Sequence, residues 1–341
     1  MHSRRSPKLL LILPYEPAAF MQVDVGILAR RFQLDVLVHN RGKARLASGV
    51  LRRLLFGRPD LVVMWFVVPS YALFVTVLAK LVGARVAFIT GGYDVVKMPS
   101  IGFGALRIPL FRRMFRPTLA LADLTIPFST SAAKQIRKHA RPRICEVVYP
   151  GVDTDFFTPN STIGREALAL TISPVTDSAI LQKGLRTFVE AAGHAPQMRF
   201  VLVGLSSDGS IEKLRTMASG NVEFIERFVS VEELRDLYRR ASCYVQASLH
   251  EGFGVAVAEA MACGAVPVVT RRFSLPEVTG GLGEYVPLAD PRAVADAALR
   301  SRHVTEDERE GLREYICARF MIERREQELV RLLRRLAMSQ R

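Results

Sequence analysis

The chemistry in this chain concentrates between Ser248 and Thr270, in the stretch SLHEGFGVAVAEAMACGAVPVVT. A short apolar strand ends near Ala247. A loop carrying Glu251, Gly252, Phe253 and Gly254 follows. Good helix formers then run from Val255 to Cys263, Gly264 stops the helix, and a second strand starts at 265. Glycines let the backbone approach a ligand closely. A helix start presents unpaired N–H groups and partial positive charge, which suits an anion such as a diphosphate. Glu251 precedes that helix and Glu259 falls in its second turn. Carboxylates so placed can accept hydrogen bonds from sugar hydroxyls. Two glutamates at this spacing would otherwise read as surface or capping acids; the glycine loop and a strand on each side make this pair specific. Lys183, followed by Gly184, supplies a cation at another helix start, of the kind that stabilises charge on a departing diphosphate.

These groups need a scaffold, and the apolar pattern supplies one. Short apolar runs at 8–13, 34–38, 60–67, 85–90, 123–128 and 144–148 alternate with helical stretches. A second series follows at 168–172, 199–204, 222–225, 242–247, 265–269 and 284–287. The rhythm is strand–helix–strand, repeated twice, and predicts an α/β chain of two doubly wound, Rossmann-like domains. Breaks at Pro150-Gly151 and Pro159-Asn160 set the expected division: 1–158, 159–320 and a C-terminal segment 321–341. Ligands in such folds bind outside the carboxyl ends of the strands, so the cleft between two domains is the expected site. The last segment, 321–338, reads as a charged amphipathic helix with Ile322, Leu329, Leu332, Leu333 and Leu336 on its apolar side. Residues 61–79 carry no charge and approach the length of a membrane span. Pro69 divides them, however, and the β-branched, aromatic first part reads as a buried strand followed by a helix ending near Gly83. The basic N-terminus with its six-residue apolar run lacks a small-residue cleavage site and reads as a first buried strand.

The stretch from Glu251 to Pro267 resembles the signature of family 4 retaining glycosyltransferases (glycosyl transferases group 1): E-G-F-G-x-x-x-x-E-A-M-A-x-G-x-P-V, matched here from Glu251 through Gly264, with Ala265-Val266 in place of the single residue before Pro267. TyrProGlyValAspThrAspPhePhe at 149–157, Lys183-Gly184 with the helix after it, PheValSerValGluGluLeu at 228–234 and TyrArgArgAlaSerCysTyrVal at 238–245 resemble further family segments in order and spacing. The resemblance implies the GT-B fold, two Rossmann-like domains facing a cleft, with the C-terminal helix crossing back to the first domain. It implies sugar transfer from a nucleotide-sugar to an acceptor hydroxyl with retention, and no metal or other cofactor. In that reading Lys183 meets the donor diphosphate, Glu251 the transferred sugar and Glu259 the donor ribose. The backbone of Phe253, Gly254 and Val255 meets sugar and phosphates.

Three family features are absent. The arginine before the lysine is replaced by Ile172-Ser173-Pro174-Val175, leaving Lys183 unless Arg186 substitutes. The glycine-rich loop after the first strand is replaced by 14–24, in which Asp24 either faces the cleft or caps a helix start. In place of a histidine after the fourth strand stands ThrGlyGlyTyrAspVal at 90–95, where Asp94, and less so Tyr93, is positioned to touch sugar or acceptor.

The resemblance implies that the first domain holds the acceptor, and the charge excess lies in that half. The 341 residues carry 47 Lys and Arg against 33 Asp and Glu, a net +14. Residues 1–160 hold 23 basic and 9 acidic side chains, and the remainder is balanced at 24 of each, so the excess lies wholly in the first half. Arg107, Arg112, Arg113 and Arg116 alternate with large apolar residues, and Arg52-Arg53-Leu54-Leu55-Phe56 repeats the pattern. These segments fit either an ordinary helix with a basic exposed face or a contact with an anionic membrane surface. The expected partners are a nucleotide-sugar and a lipid-linked or cell-envelope glycan acceptor, in an enzyme peripheral to the inner face of the membrane. The four cysteines, Cys145, Cys243, Cys263 and Cys317, have spacings that suit neither zinc nor a disulfide scaffold and read as buried, reduced cytosolic thiols. Asn160-Ser161-Thr162 matches a glycosylation sequon, without meaning in that compartment. A composition of 49% hydrophobic and 23% charged residues excludes a disordered or collagen-like chain. A GT-B phosphorylase or epimerase is the alternative reading. A basic nucleic-acid-binding protein is the remote one, for which no recognisable motif is present.

Overall fold

The computed structural model describes residues 6–39, 43–68, 70–160, 162 and 164–339. Pro69 and the sequon's Ser161 lie outside them, as do residues 1–5. In chain order the elements are β1 (Lys8–Leu13), α1 (Ala19–Arg31), β2 (Gln33–Val38), α2 (Lys43–Arg52), β3 (Leu61–Trp65), α3 (Ala72–Leu81), β4 (Arg85–Thr90), α4 (Pro109–Leu121), β5 (Leu124–Pro127) and α5 (Thr130–His139). There follow β6 (Glu166–Ile172), α6 (Asp177–Gln182), α7 (Leu185–Ala192), β7 (Arg199–Val203), α8 (Ile211–Arg215), β8 (Val222–Ile225), α9 (Val231–Arg240), β9 (Ala241–Gln246), α10 (Val255–Ala262) and β10 (Val266–Thr270). The last are α11 (Leu275–Thr279), β11 (Glu284–Val286), α12 (Pro291–Arg300), α13 (Glu306–Phe320) and α14 (Ile322–Met338).

The chain forms two compact units. One takes the residues up to Gly151 together with those from Ile322 onward; the other takes Val152–Met321. The charge-free run at 61–79 contributes β3 and α3, as its Pro-divided pattern predicts, and among the described residues no helix is long and apolar enough to cross a membrane.

The first unit is built on a five-stranded parallel sheet in the order β2-β1-β3-β4-β5. Its central strands are the most apolar: LLLIL of β1 and LVVMW of β3 are buried along their length, as strands covered on both faces must be. The run at 144–148 is no named strand. Ile144, Glu146 and Val148 exchange backbone hydrogen bonds with Thr125 and Pro127 of β5, but the pairing amounts to an isolated bridge between Thr125 and Cys145. With one neighbour only, this edge segment lacks the second ladder that regularises the inner strands. Helix α14 belongs to this unit and packs against α1. Its contact centres on a buried ion pair. Arg325 reaches both carboxylate oxygens of Asp24, at 2.6 Å each, and donates to the carbonyls of Val148 and Tyr149. Asp24, sixth residue of α1, is therefore neither a cleft residue nor a helix-start acid.

The second unit carries six parallel strands in the order β11-β10-β9-β6-β7-β8. The chain starts in the middle at β6, winds outward through β7 and β8, then returns to β9 on the other side of β6. This is the Rossmann order, and the reversal between β6 and β9 leaves a crevice at their carboxyl ends. All four cysteines are free; Cys243 and Cys263 are buried, whereas Cys145 and Cys317 are half-buried.

Candidate active site

The residues singled out in the second unit gather at the crevice between β6 and β9. Helix α6, capped by the Thr176 hydroxyl, ends at Lys183. Gly184 then adopts φ +69°, and a Cβ there would lie 2.2 Å from the carbonyl oxygen of Ala247, directly after β9. A residue without a side chain is thus required, and the close approach brings Lys183 to the loop that follows β9. Lys183 Nζ lies 2.7 Å from Glu251 Oε1. The Glu251 side chain is nearly buried, whereas that of Lys183 retains 26% of its exposure, so the ammonium is the accessible half of the pair.

A hydrogen-bonded series holds Glu251 from behind. Ser248 Oγ donates to Glu251 Oε1 (2.9 Å), Gln246 Nε2 donates to Ser248 Oγ (2.7 Å), and Tyr244 OH donates to Gln246 Oε1 (3.3 Å). The same tyrosine accepts the Ile172 N–H at the end of β6, which ties the two strands that frame the crevice. Ser274 Oγ lies 2.9 Å from the carbonyl oxygens of both Glu251 and Phe253, and Thr270 holds the Ser248 carbonyl. None of these supporting roles is legible from spacing, since Gln246, Ser248 and Ser274 carry no motif of their own.

Helix α10 starts after Gly254, which sits at φ +105°, and no side chain caps its first turn. The leading N–H groups of Val255 and its neighbours retain their capacity to bind an anion. Phe253 is buried and its ring meets Phe320 edge-on at 5.1 Å, so it offers the site its backbone and not its ring. Glu259 accepts a 3.0 Å hydrogen bond from Tyr238 OH. Burial pushes the Glu259 carboxyl up to about 7, against the opposing effect of that bond. The Tyr238 hydroxyl is itself held well above its usual range by burial and by the carboxylate. Burial lowers His250 to about 4, with Glu251 opposing and Lys183 reinforcing the shift. Arg186 does not join Lys183: it is exposed on α7 and paired with Glu190 at 2.7 Å.

In the first unit Asp94 is turned inward, with 3% of its surface exposed. One oxygen accepts the N–H groups of Gly91 (3.2 Å) and Gly92 (3.0 Å), the other that of Val67 (3.1 Å). Burial raises its pKa, and these backbone donors oppose the rise. Asp94 therefore clamps the loops after β3 and β4, and this burial corrects the expectation that its carboxylate touches a sugar. The clamp supports an outlier beside it: Phe66 sits at φ +63°, and its ring lies where a Cβ on Gly91 would be, 2.4 Å away. Tyr93 is half exposed, with its ring edge-on to Phe103. Arg107 lies in a single 3₁₀ turn and Arg112, Arg113 and Arg116 on α4; all four are exposed. Among the described residues no cluster of three His, Cys, Asp or Glu could hold a metal.

The fold is that of a GT-B-type α/β protein whose second unit carries a six-stranded sheet in Rossmann order. Residues 174–302 match the family described as "Glycosyl transferases group 1". The matched residues lie within the second unit. It is 32% identical, over 59% of its length and 54% of the relative's, to the D-inositol 3-phosphate glycosyltransferase of Corynebacterium jeikeium. It is 30% identical, over 55% of its length and 48% of the relative's, to the MMP alpha-(1->4)-mannosyltransferase of Mycolicibacterium hassiacum. The chain spans about half the length of the curated relatives it matches. In fold it resembles Anabaena HepE in complex with UDP and glucose, with a TM-score of 0.75 at 14% identity, covering 96% of this chain and 99% of the other. It also resembles the sucrose-phosphate synthase of Thermosynechococcus elongatus, with a TM-score of 0.76 at 17% identity, covering 97% and 100%.

Proposed function

We propose that the chain is a retaining glycosyltransferase that moves a sugar from a nucleotide-sugar to a hydroxyl of a lipid-linked or cell-envelope glycan. The observation that carries this reading is the Lys183–Glu251 pair at the β6/β9 crevice, beside the uncapped start of α10. In the proposed reaction the diphosphate lies against the N–H groups of α10 and Lys183 Nζ, which stabilise the charge it gains on departure. Glu251 accepts hydroxyl hydrogens of the transferred sugar, and Glu259 those of the ribose. Retention has no protein nucleophile assigned; the departing phosphate takes the acceptor proton on the same face of the sugar. Positive charge is supplied by Lys183, and the reading includes neither a metal nor a nucleic-acid partner. Relatives named as glycosyltransferases and a neighbour described with UDP and glucose support it. Work on the inner face of a membrane follows from the lipid-linked acceptor.

The test is a panel of nucleotide-sugars with lipid-linked acceptors. The expected result is acceptor-stimulated release of a nucleoside diphosphate and a product whose anomeric configuration, by NMR, matches the donor's. Sugar phosphate formed from inorganic phosphate would instead show a phosphorylase, and an epimerised free sugar an epimerase. Failure of every nucleotide-sugar to bind would overturn the transferase and epimerase readings.

A further inference from the structure

Three helices of the first unit share one face of its sheet. The steps from β2 to β3, from β3 to β4 and from β4 to β5 all move the same way across the sheet order. Right-handed crossovers place the connecting helices α2, α3 and α4 on the same side. One core cluster confirms it, uniting Leu46 and Val50 of α2, Val75 and Ala79 of α3, and Phe115 and Leu119 of α4. The outward sides of the same helices are not polar. Phe56 is 83% exposed and Leu81 76%, and Leu55, Phe74, Leu110 and Leu121 are exposed with them. Helices in such crossovers run antiparallel to the strands, so Phe56, Leu81 and Leu121, at or just beyond the helix ends, fall toward the same amino edge of the sheet.

Charge along these elements is predominantly positive. From residue 36 to residue 122 the sequence holds 13 Lys and Arg and two acids, Asp60 and Asp94. Asp94 is buried in its backbone clamp, and Asp60 accepts the Lys8 N–H. Arg52, Arg58, Arg112, Arg113 and Arg116 are exposed and form no ion pair with any described residue. Lys80 and Arg85 differ, being bound to Asp123 at 2.6 Å and 3.0 Å, as does Arg53, bound to Asp35 at 2.9 Å. A soluble surface carrying this many cations ordinarily intersperses acids among them. Exposed Phe and Leu between unpaired arginines match instead a surface that is negative outside and apolar beneath.

We propose that the α2–α3–α4 face is a docking surface for an anionic lipid bilayer, with Phe56 and Leu81 entering the headgroup boundary and the arginines meeting lipid phosphates. The inference deepens the membrane part of the proposed function and rests on that reading for its purpose, but docking requires no catalysis. Co-sedimentation of the full chain with vesicles tests it. Binding to vesicles of phosphatidylglycerol and phosphatidylcholine in equal parts is expected to exceed binding to phosphatidylcholine alone by about tenfold or more, and to weaken with salt. The double variant Phe56→Ser/Leu81→Ser is expected to lose about tenfold in vesicle affinity, from lost apolar burial, while its circular dichroism and its donor hydrolysis in the absence of lipid are unchanged. Equal binding to both vesicle types, or undiminished binding by that variant, would overturn the proposal. So would a duplex oligonucleotide that displaces the chain from vesicles and binds the double variant as tightly as the parent. Concentration-dependent dimerisation abolished by the variant would assign the face to a second copy instead. Donor hydrolysis scored in parallel separates the two readings: hydrolysis without vesicle binding removes docking alone, and vesicle binding without hydrolysis removes the catalytic reading alone.

Discussion

Lys183 Nζ and Glu251 Oε1 are 2.7 Å apart, although the two residues stand 68 positions apart in sequence. The proposed donor diphosphate must therefore compete with, or add to, a carboxylate already bound to the cation that serves it. Lys183→Ala is expected to lower turnover about 10²–10³-fold, as loss of one positioned electrostatic group does. Lys183→Arg is expected to restore less than a tenth of the lost rate, because the wider guanidinium does not fit a point-charge position. Steady-state kinetics at saturating donor checks both. Turnover within threefold of the parent in the alanine variant would remove Lys183 from the chemistry.

Glu259 makes the site sensitive to pH. Its folded value is raised from 4.5 to about 7, so the folded protein holds a proton that the unfolded chain releases earlier. The stabilisation linked to this group is complete below pH 4.5 and is lost as pH rises through about 7. Its size is of order 2 kcal/mol, allowing for the carboxylate's partial exposure. Glu259→Gln is expected to flatten that part of the stability curve, measured by urea unfolding at intervals from pH 5 to 8. Since the ionised carboxylate is the better acceptor for ribose hydroxyls, UDP affinity of the parent should also rise over this window relative to the variant. Parallel pH curves for the two proteins would refute the assignment.

Gly184→Ala tests the close approach that delivers Lys183. The substitution places a methyl 2.2 Å from the Ala247 carbonyl at φ +69°. A loss of about 2 kcal/mol or more is expected, combining left-handed backbone strain with the clash. Thermal unfolding measures it. An unchanged midpoint would mean that the two loops separate at little cost.

Legibility followed the range of the interaction. β1 and β3 were plain from unbroken apolar runs, and the loop-helix carrying Glu251 and Glu259 from local spacing. The Lys183–Glu251 contact was not, because it depends on the register of β6 against β9. The inward turn of Asp94 is not legible in the sequence because its partners are the backbone amides of Val67, Gly91 and Gly92, which no side-chain pattern records. Tyr238 lay within a family-like segment, yet its bond to Glu259 needs α9 and α10 side by side. The Asp24–Arg325 pair, spanning 301 positions, was the least accessible, and Arg325 was hidden among ordinary helix-surface arginines.

That pair imposes an order on synthesis. The first unit begins with β1 but is completed only by α14, with the whole second unit translated in between. At ~5–20 residues per second, Arg325 follows Asp24 by about 15–60 s. Throughout that interval Asp24 lacks its cation, and the side of α1 against which α14 packs has not received its covering helix. The first unit therefore receives α14 only after the second unit has been translated, and a chain stalled before residue 322 leaves Asp24 without Arg325.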